Sequence, residues 1–123
     1  MEVTEVNETT RLLKELVEVQ GVEEVVCVGR DGFVIASESR GKGDAEAIGA
    51  MISTGLGSAE SIGRELNVGR MIVGTMEYGE GIVLMAALGT DVLLSIVASK
   101  DANLGNIRLQ AKRRMPDLEN SLK

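Results

Sequence analysis

The stretch MIVGTMEYGEGIVLMAALGTDVLLSIVA, residues 71–98, holds three apolar runs separated by two short glycine-bearing connectors. Met71–Met76, Ile82–Leu88 and Val92–Ala98 each have strand length, and YGEG and GTD are turn-like, so the stretch predicts a three-stranded antiparallel meander. A sheet with one wet face alternates apolar and polar residues. Here both the Ile82/Leu84/Ala86/Leu88 set and the Val83/Met85/Ala87 set are apolar, so both faces require cover.

Working outward, Val25–Val28 and Phe33–Ala36 flank the turn-like Gly29-Arg-Asp-Gly32 and predict a hairpin, with Asp31-Gly32 as its turn chemistry. Between hairpin and meander, Ile48, Ile52, Gly55, Ala59, Ile62 and Leu66 recur at three- and four-residue steps. They define a helix over 45–66, with Glu46, Ser53, Glu60 and Arg64 on its far side and Asn67 and Gly69 closing it. Leu13, Leu16, Val17 and Gln20 predict a first helix over 9–20, which Gly21 ends. Leu104, Ile107, Ala111, Met115, Leu118 and Leu122 predict a last helix capped by Asp101 or Asn103, with Pro116 expected to kink or end it near Arg114. Residues 1–8 are expected to form a disordered tail, and 9–123 one domain.

The resulting order is α-β-β-α-β-β-β-α, an α+β fold. Its five-stranded antiparallel sheet carries the central helix on one face and the terminal helices on the other.

Composition narrows function. The chain has 123 residues and a net charge of −6, with 2% aromatic residues, which opposes phosphate-backbone binding and leaves little for base stacking. Nucleic acid is not expected as a partner. With no histidine and one cysteine, Ser-His-Asp and Cys-His catalysis and Cys/His zinc sites are excluded. Cys27 sits in an apolar run and reads as a small core residue. The opening MEVTEVNETT lacks a basic and an apolar signal region, and no run approaches the roughly 18 apolar residues of a membrane span. A cytoplasmic location without a membrane span is expected.

One stretch invites a nucleotide reading: RGKGDAEAIGAM, residues 40–51. A P-loop needs G-x-x-x-x-G-K-[ST]. Aligned on Gly41-Lys42, the first glycine position is Ala36 and the hydroxyl position is Gly43. Asp44 would also occupy the helix N-terminus and repel phosphate. GLGSAE at 55–60 fails the dinucleotide pattern because it ends in Glu60 and lies inside a helix. Asp44 therefore reads as an N-cap, and no cofactor is expected. Acidic pairs are weak as catalysts: adjacent Glu23 and Glu24 would point to opposite faces of a strand, and Glu77 and Glu80 flank a turn.

The sheet makes a further demand. One helix, about 10 Å across, covers less than half of a sheet roughly 24 Å wide. The strand Met71–Met76, at the expected edge, has no internal lysine or proline to discourage pairing. Both deficits vanish if two copies join edge to edge through Met71, Ile72, Val73, Gly74, Thr75 and Met76, with their long helices side by side. A twofold homodimer is inferred. Of the two flanks of the long helix smooth enough for this, Met51/Ser58 is favoured over Gly49/Leu56/Gly63.

The element order, the hairpin GVEEVVCVGRDGFVIASES, the small-residue helix AEAIGAMISTGLGSAESIGRELNVG and the ending LLSIVASKDANLGNIRLQAKR together resemble the Roadblock/LC7 family over about residues 9–114. That family includes roadblock-type dynein light chains and MglB-like regulators of Ras-like GTPases. The resemblance implies a homodimer through the third strand and the central helix, offering a platform to a small GTPase. In MglB-like members the dimer stimulates GTP hydrolysis through the GTPase's own catalytic groups, without an arginine finger.

The expected function is thus a noncatalytic homodimeric adaptor that binds a Ras-like GTPase and stimulates its hydrolysis, with no catalytic residue or metal site of its own. Ala47, Thr54, Arg40, Arg64 and Arg70 are the candidate partner contacts, and Lys112-Arg113-Arg114 is a further basic patch. The alternatives are a small-molecule sensor, for which the strands supply only Thr75 and Ser95 as interior polar groups, and a structural subunit of a larger assembly.

Overall fold

The computed structural model describes residues 2–123, with side chains from Glu8 onward. Its elements run α1 (Glu2–Val17), β1 (Val22–Gly29), β2 (Val34–Ser39), α2 (Ala45–Leu66), β3 (Val73–Tyr78), β4 (Gly81–Leu88), β5 (Val92–Ser99) and α3 (Leu104–Ser121). The order is the one expected, and the strands form one antiparallel sheet, β2-β1-β5-β4-β3.

The doubly apolar strands explain the layering. Leu84 and Ala86 of β4 join Val25 and Cys27 of β1 and Leu94 and Ile96 of β5 in a core closed by Leu13 and Leu16 of α1 and Ile107, Ala111 and Leu118 of α3. On the opposite face, Val26, Val28, Met85 and Leu93 meet Ile52 and Leu56 of α2. Each buried leucine contributes roughly 1.5–3 kcal/mol of transfer free energy, so the two-helix face holds most of the stabilising burial.

Several boundaries differ from expectation. The α1 backbone is helical from Glu2, within the stretch expected to be a tail, and ends at Val17 rather than Gln20. Leu12 is buried beside the expected Leu13 and Leu16, while Gln20 is exposed. Strand β3 starts at Val73, two residues later than expected: Met71 packs inward among the α2-face residues, and Ile72 precedes the strand.

Pro116 neither ends nor breaks α3, which continues to Ser121. The proline lies on the exposed side, where water can satisfy the carbonyl that its missing N–H leaves free. The turn beyond it is pinned by fully buried Leu118. Ser121 also donates to the Leu118 carbonyl at 2.8 Å and pairs with the Thr9 hydroxyl of α1 at 2.5 Å.

Candidate functional site

Helix α2 begins as the GKGD stretch requires. The Asp44 side chain accepts from the Ala47 N–H at 3.1 Å, so it caps the helix. Gly43 lies against the Glu24 carboxylate, in space that a side chain would fill. Glu24 is 7% exposed on the α2 face of β1. Burial raises its pKa; the Asp44 N–H counters this, and the Asp44 carboxylate adds to it. The stretch is therefore a helix entry built over a buried carboxylate.

Arg40, expected as a partner contact, is exposed, with its Nε engaged within the chain. Its Nε donates to the carbonyls of Val17 and Val22, both at 2.9 Å, closing the junction of α1 and β1. The expected partner contacts Ala47 and Thr54 are exposed on α2, with the Thr54 hydroxyl bonded to the Ala50 carbonyl at 3.0 Å.

The helix sits asymmetrically on the sheet, packed over β1, β2 and β5. Its buried line is Gly49, Ile52, Leu56 and Gly63. Those glycines and Leu56 belong to the intramolecular contact, so this flank is already used. The apolar stripe read from the sequence is wider than this line: Ile62 and Leu66, expected inside, are 59% and 65% exposed. Met51, Gly55, Ser58 and Ile62, spaced by four, three and four residues, form the flank turned towards β4 and β3.

Between that flank and the strands runs a groove of about 340 Å³, lined by residues including Ile48, Met51 and Gly55 of α2 and Met76, Tyr78, Val83 and Met85 of the sheet. Its walls are apolar, and Met51 and Tyr78 are 69% and 59% exposed. The groove thus continues the exposed apolar flank of α2 down to the β3 edge of the sheet.

The two sheet edges differ. In β2, Val34 pairs with Val28 and Ala36 with Cys27, leaving Ile35 as a bulge residue that interrupts that edge. Strand β3 is paired in unbroken register from Val73↔Ala86 to Tyr78↔Gly81. The Ala87 N–H donates to the Ile72 carbonyl at 3.3 Å. By antiparallel alternation, Gly74 and Met76 bond inward to β4, and the main-chain groups of Val73, Thr75 and Glu77 face the open edge.

A second constellation was not legible in the sequence. Arg30, in the β1–β2 turn, forks onto Glu60 of α2 with both contacts at 2.8 Å. Its Nε also donates to the Thr90 carbonyl in the β4–β5 turn. Arg70 approaches Glu60 at 3.9 Å, and Arg64 donates to Ser61 Oγ at 3.1 Å. These side chains surround a cleft of about 630 Å³ with Gly63, Asn67 and Gly69. The Arg30 bond holds the Glu60 carboxyl below its ordinary range. Glu60, placed on the far side of the helix by its spacing, ties α2 to the β1–β2 turn and, through Arg30, to the β4–β5 turn.

Ser95, an interior candidate for ligand binding, is fully buried, and its hydroxyl has no hydrogen-bond partner among the described residues. Thr75 lies on the edge strand, half-buried. The two do not converge on the apolar groove, whose lining includes neither. Among the described residues, no helix is long and apolar enough to cross a membrane.

Comparison with known proteins agrees with this geometry. The chain is 39% identical over 103 residues to protein MJ0310 of Methanocaldococcus jannaschii, covering 84% of this chain and 90% of that one. The gliding protein MglB of Thermus thermophilus superposes with a TM-score of 0.88 at 17% identity, over 95% of this chain and 90% of that one. An MglB with tetrameric arrangement also gives 0.88 at 17% identity, over 95% and 89%. At such identity the structural likeness shows the fold. Residues 8–98 match the Roadblock/LC7 domain. The chain belongs to the Roadblock/LC7 family.

Proposed function

We propose that this chain is a noncatalytic homodimeric adaptor and regulator that binds a Ras-like small GTPase in the cytoplasm. The observation that carries this reading is the unfinished α2 face: an apolar helix flank, a bare strip of sheet and a regular open edge lie side by side. A second copy, related by a twofold axis and paired through β3, supplies main-chain partners to Val73, Thr75 and Glu77 and brings a second α2 over the groove. Met51 and Ser58 then lie in the seam, and Ala47 and Thr54 beside it face outward.

Family membership and the MglB-like fold support a role in regulating small GTPases. In this reading, the paired helices hold the GTPase so that its own catalytic groups are aligned for hydrolysis. The chain's contribution is positioning, since such groups gain rate when held in reacting geometry. The test is to combine the purified protein with candidate small GTPases in their GDP and GTP states, measuring co-elution and phosphate release. A nucleotide-dependent complex with faster release is expected. A complex without faster release reduces the role to an adaptor, and neither effect with any candidate overturns the GTPase reading.

A further inference from the structure

The arginine cleft at the far end of α2 lies on the opposite flank from Met51 and Ser58, so a second copy seated on β3 leaves it open. Three segments build it: Arg30 from the β1–β2 turn, Glu60, Gly63 and Arg64 from α2, and Asn67, Gly69 and Arg70 from the connector to β3. Three guanidinium groups share one carboxylate. Asp91, in the β4–β5 turn, also acts on Arg30, so in a chain of net charge −6 the cleft keeps a local excess of about one positive charge, centred on Arg64 and Arg70.

The helix end accounts for only part of that excess. A helix C-terminus carries about half an elementary negative charge. Moreover, its last carbonyls are already engaged: Asn67 N–H donates to Arg64 O at 3.2 Å and Val68 N–H to Gly63 O at 3.0 Å. Glu60 is used mainly by Arg30, which takes both of its oxygens. Among the described residues, Arg64 bonds only to Ser61 and Arg70 has only its long approach to Glu60. Each guanidinium carries five N–H donors in a planar fork suited to carboxylate or phosphate oxygens.

We propose that this cleft is a binding site for a small, multiply charged oxyanion, a phosphorylated or polycarboxylate compound, held by Arg64 and Arg70 with Arg30 behind them. At about 630 Å³ the cleft is larger than a single phosphate requires, and its lining has no aromatic ring on which a nucleobase would stack. Gly63 is covered by the Gly69 carbonyl, so the contacts to an anion come from the guanidinium groups rather than from the backbone. Glu60 acts as an internal competitor: it neutralises Arg30 in the free protein and repels the incoming ligand. The site is independent of the GTPase reading.

The experiment titrates the full chain with pyrophosphate and, separately, citrate, following backbone amide resonances, with potassium chloride at matched ionic strength as control. Saturable shifts confined to Gly63, Asn67, Val68, Gly69 and Arg70 are expected, and the tighter of the two probes tells phosphoryl from carboxylate chemistry. Arg64→Ala and Arg70→Ala alter exposed side chains, so the fold should persist, and each should weaken binding on the order of tenfold. Glu60→Gln should tighten it, because Arg30 stays anchored on the Thr90 carbonyl. A role limited to surface solvation predicts the reverse pattern: shifts that chloride reproduces, indifferent to all three substitutions. That result overturns the proposal.

Discussion

Gly63 stands where the last turn of α2 meets the returning chain, and a Cβ there would lie well inside 3.0 Å of the Gly69 carbonyl oxygen. Backbone cannot yield as a flexible side chain can. Gly63→Ala should therefore lower stability by about 1–3 kcal/mol despite alanine's better helix propensity, measured by urea denaturation. Gly41→Ala, which meets nothing within 4 Å, is the control and should change little. Cys27 gives a second residue-level outcome. It is fully buried in β1, and burial pushes its thiol up to about 12. The native protein should not react with a thiol reagent at pH 8 on the timescale of minutes, whereas urea-unfolded chain should react at once. A fast native reaction would show that the α1/α3 face opens. Single residues were legible where their role is local: Asp44 as cap, Asp31 as turn former, Cys27 as core. Arg40 and Glu60 were not, because their partners lie far off in sequence and only the folded chain brings them together.

At the scale of elements, sequence periodicity found every helix and strand and located α2 to the residue. What it missed was orientation. The stripe from Ile48 to Leu66 marks apolar positions without saying which are covered by the chain's own sheet, and Ile62 and Leu66 proved exposed. The stripe is wider than the line that the chain's own sheet covers. Helix α3 shows a different failure. A proline inside a helix loses one hydrogen bond and crowds the preceding turn, yet tertiary anchors at Leu118 and Ser121 outweigh the local cost. Pro116→Ala should consequently raise stability by about 1–2 kcal/mol, read as a higher urea midpoint with an unchanged slope. A fall in stability would mean that the ring packs favourably or restricts the unfolded chain more than it strains the helix.

For the whole molecule, the sequence announced a shortage of cover, and the structure locates it: the strip between α2 and the β3 edge, bounded by Met51, Tyr78 and Met76. The opposite edge is broken by the bulge at Ile35, so the two ends of the sheet are not equivalent. Legibility of the candidate site divides along the same line. The apolar groove was readable because it follows from periodicity and coverage, whereas the arginine cleft depends on a turn, a helix and a connector meeting in space. Joining two chains through β3 is the central claim, since the GTPase platform is built on it. Thr75 tests it most directly: its N–H faces the open edge rather than β4, so proline there removes an intersubunit donor while an edge strand tolerates the ring. Sedimentation velocity at micromolar concentration should give the unaltered chain twice its 13.0 kDa mass and Thr75→Pro a folded species of 13.0 kDa. A single protomer for the unaltered chain, or a dimer that survives Thr75→Pro, would contradict it.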